Sequence, residues 1–355
     1  MKNFRLTWLL VFTAFWPSLC DAIISEKLLN QAGLETAWQN AIALNPKEKV
    51  QRVTVLDNYL YILTSSNYLF CLDRNTGRLS FATVAAAPKL PVFEPVEYNG
   101  IVYLIAANNL IAANVETGTE IFRNKISFPV SAAAAANASH LYIPGADKCL
   151  HVTDPNGKLE LFRASADEVR AITSVLATDK FAIFATDGGN VICMNPSAPK
   201  RLWQFDAVEA ITAPLTMVQN WLYVSSRDTN IYKLDAGSGN MIWKFCSGSI
   251  LVSPARATKT TVYQYARDKG LYAIDANSGK LLWLLPDAVE LLAQDGDTAY
   301  VFDKSNTCTI MNNKQAKKIY TINFAPVTNY AANVYDNKIY IMEDKNISCI
   351  QPIKK

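Results

Sequence analysis

Residues 222–243 read LYVSSRDTNIYKLDAGSGNMIW, and the fold can be read from that stretch. Leu222 to Ser225 alternates apolar and more polar side chains and carries Tyr and Val, the pattern of a short strand. Arg227-Asp-Thr-Asn230 supplies tight-turn residues, and Ile231 to Leu234 is a second strand. Asp235-Ala-Gly-Ser-Gly239 follows as a compact turn. Its acid can bond the turn backbone, and its last glycine can take the positive φ the turn needs. Four residues after that glycine stands Trp243, which opens a further strand.

The same unit recurs along the chain. Its first strand is anchored at Tyr61, Tyr103, Tyr142, Ile183, Tyr223, Tyr263, Tyr300 and Tyr340, spaced 37 to 42 residues apart. A fixed period of this length signals a repeat architecture. The acid-or-amide turn returns at Asp73–Gly77, Asn114–Gly118, Asp154–Gly157 and Asp275–Gly279, and large rings follow at Phe81, Phe122, Phe162, Trp203 and Trp283. Segments such as Thr212–Val218 and Val252–Ala257 add a strand before each anchor. Four strands per unit and eight units predict an all-β, eight-bladed β-propeller, in which radial repetition leaves only short edges.

The eighth unit reaches Lys355 with no room for its outer strand. The missing piece is predicted at the other end of the chain. Gly33-Leu-Glu-Thr-Ala-Trp38 has the glycine-then-tryptophan pattern, with five residues of spacing rather than four. Pairing of this strand with the last blade would close the ring and remove an exposed edge.

Residues 1–22 differ from the rest. Lys2 and Arg5 precede an apolar run from Leu6 to Trp16, and Pro17, Ser18 and small residues end it. This is the three-part pattern of a secretory signal peptide, leaving 23–355 as the propeller domain. Two processing routes fit: cleavage before Ile23, or lipid attachment at Cys20. Leu19 departs from the small residue a lipoprotein signal wants there. Export permits disulfides. The six later cysteines contain no C-x-x-C, and they read as buried strand residues. A net charge of +3 gives no ground for a nucleic-acid binder, and two histidines are too few for a multi-histidine metal site.

LDAGSGNMIW at 234–243 and IDANSGKLLW at 274–283 resemble the repeats of PQQ-like propellers. Eight lean units, this length and an export signal together resemble the BamB family, the propeller subunits of the β-barrel assembly machinery. The resemblance implies a non-enzymatic periplasmic scaffold at the inner face of the outer membrane, a monomer within a complex. Its implied partner is the periplasmic part of the barrel-inserting subunit, with membrane contact only through that partner or a lipid on Cys20. The enzymatic branch of the repeat family, PQQ-binding oxidoreductases, is the alternative. Its members are much longer, and no acidic cluster fit for calcium stands in these bare units, so no cofactor is expected.

In the BamB family, partner contacts include an arginine after a short apolar step and a pair of acids on the next blade. The resemblance puts Arg170, in Glu168-Val-Arg-Ala171, at the arginine and Glu209 at one acid. Ile211 stands where the second acid would be. Other motifs read more plainly. Asp187-Gly-Gly-Asn190 is a strand-to-strand turn with no helix after it to bind phosphate. Ser197-Ala-Pro-Lys200 has the spacing of a serine–lysine catalytic pair but replaces a blade turn. His140 and His151 read as satisfied strand histidines, and Ala132–Ala136 as a strand near the propeller axis.

Overall fold

The structure is a computed structural model that describes residues 23–354. The predicted signal peptide and Cys20 lie outside the described residues. Eight four-stranded antiparallel sheets follow one another around a ring. Blades 1 to 7 span residues 50–84, 96–125, 135–164, 172–206, 216–246, 256–285 and 288–323. In each, the chain runs from the innermost strand outward in sequence order. Blade 8 alone mixes the two ends of the chain. Its order is Leu34–Ala41, Asn346–Pro352, Ile339–Glu343, Asn329–Ala331, so the early strand supplies the outer edge as predicted.

The hydrophobic core is divided among the interfaces between blades. Eight buried clusters each join two neighbours; Ile183, Val191 and Cys193 of blade 4, for example, meet Leu222, Val224 and Leu234 of blade 5. The cluster of Leu60, Phe70, Tyr340, Met342 and Cys349 seals blade 8 against blade 1. Each such aliphatic side chain contributes about 1.5–3 kcal/mol when fully buried. The repeat anchors lie within this core: Tyr61, Tyr142, Tyr223, Tyr263 and Tyr340 are among the largest fully buried side chains.

At several interfaces the turn glycine of one blade and the outer aromatic of its neighbour form one device. Trp243 of blade 5 donates its indole N–H to Ala276 O of blade 6 at 3.1 Å. Its ring fills the space beside Gly279, where a Cβ would lie 2.8 Å away. Trp203 does the same with Ala236 O at 3.1 Å, and Trp283 with Asn313 Oδ1 at 2.9 Å. Asp235 holds the turn itself, accepting Ser238 N–H at 2.8 Å and its hydroxyl at 2.9 Å.

Every outer strand carries a register shift at the residue before its aromatic. This bulge turns the ring inward and the preceding residue outward. Ile121, Leu161, Leu202, Ile242 and Ile319 are exposed for that reason. Phe162 stands one residue later after its glycine than the other rings, but the Asp154–Gly157 turn is one residue shorter than Asp73–Gly77, so the ring keeps its register. In blade 7 the aromatic is Tyr320, which lacks the preceding glycine; Ala316 takes the positive φ there, at 51°.

Two expectations need correction. The inner strands are shorter than the sequence suggested: Ala132–Ala136 contributes only Ala135–Ala136, Thr212–Val218 only Thr216–Val218, and Val252–Ala257 only Arg256–Ala257. Pro214 and Pro254 have no N–H to give a ladder, which delays the start of the last two. Of the six cysteines, Cys71, Cys193, Cys308 and Cys349 are buried, but Cys149 is half-buried and Cys246 exposed; all six are free. Cys246 ends its outer strand at the ring's surface, where no neighbouring blade covers it.

Candidate functional site

The alternating strand directions put two kinds of connection on one face of the ring: the loops between blades, and the turns joining the second and third strands of each blade. Arg170 and Glu209 both lie on this interblade face, in the loops that enter blade 4 and leave it. The structure brings them to the same turn. Arg170 lies across Gly188, where a Cβ would come within 2.6 Å of its Cγ. The backbone of Glu209 lies against Gly189, where a Cβ would meet Glu209 O at 2.8 Å. The Asp187-Gly-Gly-Asn190 turn is thus a seat for both loops, and its glycines are needed for their close approach. Asp187 Oδ1 also accepts Ala171 N–H at 2.9 Å, while its own N–H returns to Ala171 O at 2.9 Å.

Arg170 pairs with Glu168 through Nη2 and Oε2 at 2.9 Å, with both side chains largely in solvent. Such an exposed pair contributes about 0–1 kcal/mol, so it can be exchanged for a partner at little cost. Between them Val169 holds φ at +52° and points outward. A β-branched residue in the left-handed region is strained, and such strain persists only where the surroundings fix it. Ile211, at the place of the second acid, is fully buried and presents nothing to a partner.

The next loop shows residues that sequence reasoning passed over. Val208 is 84% exposed. Its segment is nonetheless held at three successive points. Val208 N–H donates to Asp228 Oδ2 at 3.1 Å, Glu209 O accepts the Ser226 hydroxyl at 3.1 Å, and Ala210 O accepts Arg227 N–H at 2.9 Å. Asp228 also accepts the Tyr232 hydroxyl at 2.7 Å and Asn230 N–H at 2.9 Å. Burial works against its charge, but these hydrogen bonds outweigh burial and hold its carboxyl below the usual range. One loop further on, Ile250 and Val252 are exposed as well. Three consecutive interblade loops therefore turn Val169, Val208, Ile250 and Val252 outward on one arc, beside Arg170 and Glu209. A run of exposed aliphatics rimmed by charge is the composition of a protein-docking surface.

The remaining motifs are structural. Ser197 and Lys200 lie in the turn after Met194, where Ser197 N–H donates to Asn195 Oδ1 at 2.8 Å. His140 is buried beside Tyr142 and Phe162, and burial pushes its ring toward the neutral form. His151 is buried between two carboxylates, Asp147 and Glu160. Among the described residues, no group of three or more His, Cys, Asp or Glu side chains is arranged to hold a metal ion.

A family model described as outer membrane protein assembly factor BamB matches residues 27–197 and 187–339. The crystal structure of BamB from Moraxella catarrhalis superposes with a TM-score of 0.68 at 15% identity, covering 90% of this chain and 97% of that one. The computationally designed Ika8 protein gives a TM-score of 0.65 at 15% identity, covering 87% of this chain and 98% of that one. At such identity these two structures bear on the fold alone. No curated protein sequence matches the chain.

Proposed function

The chain belongs to the outer membrane protein assembly factor BamB family, and on that footing we propose that it is a non-enzymatic scaffold of outer-membrane β-barrel assembly. It works in the periplasm at the inner face of the outer membrane. Its partner is the periplasmic part of the barrel-inserting subunit, received on the interblade face of blades 4 to 6. Arg170 and Glu209 supply charged contacts, and Val208 is the apolar anchor between them.

The observation that supports this reading most is the exposure of Val208 on an immobilised backbone. Ordering a loop at the moment of binding costs affinity, and a loop already pinned avoids that cost. A planar guanidinium such as that of Arg170 can grip a partner carboxylate at two points once Glu168 lets go. The test is affinity isolation of the protein from detergent-solubilised envelope. The reading requires the barrel-inserting subunit to come along with the wild type and to be lost with Arg170→Glu. Retention by that variant would remove Arg170 from the contact, and absence of the subunit from the wild-type isolate would overturn the reading. Adding PQQ with calcium gives a separate check: a saturable absorbance change would favour an oxidoreductase or sensor instead.

A further inference from the structure

We propose that His151 is a proton-operated latch that sets the shape of a second groove on the interblade face, between blades 2 and 3. The ring is fully enclosed, and each of its nitrogens meets a carboxylate. Nδ1 lies 2.7 Å from Glu160 Oε2, and Nε2 lies 3.0 Å from Asp147 Oδ2. Phe128 stacks on the ring with centroids 3.5 Å apart and planes 10° from parallel. The groups facing the ring are few. The outer strand of blade 3 offers Glu160 and, behind it, Arg163, whose Nε reaches Glu160 Oε1 at 2.5 Å. The turn before His151 offers Asp147, with Lys148 and Cys149 beside it, and the strand Leu141–Pro144 pairs Ile143 with His151. The loop entering blade 3 offers only Phe128.

With a carboxylate oxygen at each nitrogen, both contacts are hydrogen bonds only while the ring carries two protons. Loss of one proton sets a nitrogen lone pair against a carboxylate. Glu160 is fixed by Arg163, so Asp147 gives way, and it sits in a solvent-facing turn. That turn holds the loop entering blade 3. Ala146 N–H donates to Pro129 O at 2.8 Å, Ser131 N–H to Pro144 O at 2.9 Å, and Val130 bridges Gly145. The loop in turn forms one wall of a groove of about 660 Å³ that includes Pro91, Phe93, Phe128 and Val130. Gly145 makes the closed latch possible, since a Cβ there would lie 2.2 Å from Asp147 Oδ1. The latch is closed while the ring carries both protons and opens when it loses one. Both carboxylates are held below their usual range, so the latch survives moderate acid.

The experiment follows the amide exchange of Ala146 and Ser131 in the full chain across about pH 5 to 9, where histidine titrates. Each is normalised to Ala276 N–H in blade 6, which donates to Thr260 O at 2.9 Å. Ring nitrogen shifts of His151 are recorded alongside. Wild-type protection is expected to fall together with ring deprotonation. Asp147→Asn can donate to a neutral ring as well as accept from a charged one, so its protection should stay high and flat. Asp147→Ala should be unprotected throughout. Wild-type protection that stays level while the ring titrates would overturn the latch, as would Asp147→Ala behaving like the wild type.

Discussion

The indole of Trp38 occupies the space that a side chain at Gly77 would need: a Cβ there would lie 2.4 Å from the ring. The same indole donates its N–H to Arg74 O at 3.1 Å, in the turn that Gly77 closes. Trp38 belongs to the first strand of the chain and Gly77 to blade 1, so this contact spans the seam of the ring. It repeats at the seam what Trp203 and Trp243 do at internal interfaces. Gly77 holds φ at +70°, so both its backbone and its lack of a side chain are required.

Trp38→Ala removes the ring and leaves a gap between blades 8 and 1. Large-to-small changes of this kind cost about 3–5 kcal/mol. A lowered denaturation midpoint is expected, with circular dichroism at room temperature still showing strand.

Removing residues 23–43 deletes the whole outer strand of blade 8. It exposes the edge of Asn346–Pro352 and the apolar side chains under it. The melting temperature should collapse and the protein should associate through the bare edge. An unchanged melting curve would show that the ring does not depend on this seam.

Asp228 fixes the Val208 segment through its charge, and its folded carboxyl is held below the unfolded value. Its contribution is therefore complete above the ordinary carboxylate range, near about pH 4, and is lost as pH falls through the lower folded value. The stability difference between the wild type and Asp228→Asn should shrink as pH is lowered through that window. A difference that stays constant with pH would mean that the charge of Asp228 does not hold the loop. Asp228→Ala should keep the global fold and weaken partner binding, because Val208 N–H and the Tyr232 hydroxyl lose their acceptor.

Much of the ring was legible because its instructions are local. The strand anchor, the turn and the following aromatic lie within a single unit, and the eightfold recurrence of the anchor set the blade number. The misplaced glycine–tryptophan pair at Gly33 and Trp38 gave the closure. What stayed hidden depends on residues brought together from different elements. Asp147 and Glu160 flank His151 only once the hairpin forms, so the histidine read as an ordinary strand residue. Val208 belongs to no repeated motif, so nothing in the sequence marks it. Its exposure follows from Asp228, Ser226 and Arg227 in the next blade, which hold the backbone so that the side chain faces out. Tyr320 escaped notice because Ala316 replaces the glycine that marks the other turns. Arg170 and Glu209 were found in sequence, but the turn that seats them both, Gly188-Gly189, was read only as a connection.

The most direct test of the docking surface is a binding titration of the purified periplasmic domains of the barrel-inserting subunit. Three proteins are compared: the wild type, Val208→Asp, and Glu116→Lys, which changes an exposed charge in a turn on the opposite face of blade 2. Placing a charge at a buried apolar anchor typically costs more than 2 kcal/mol, or at least about thirtyfold in affinity. The account predicts that loss for Val208→Asp and wild-type affinity for Glu116→Lys. Equal affinity for all three, or loss confined to Glu116→Lys, would contradict it.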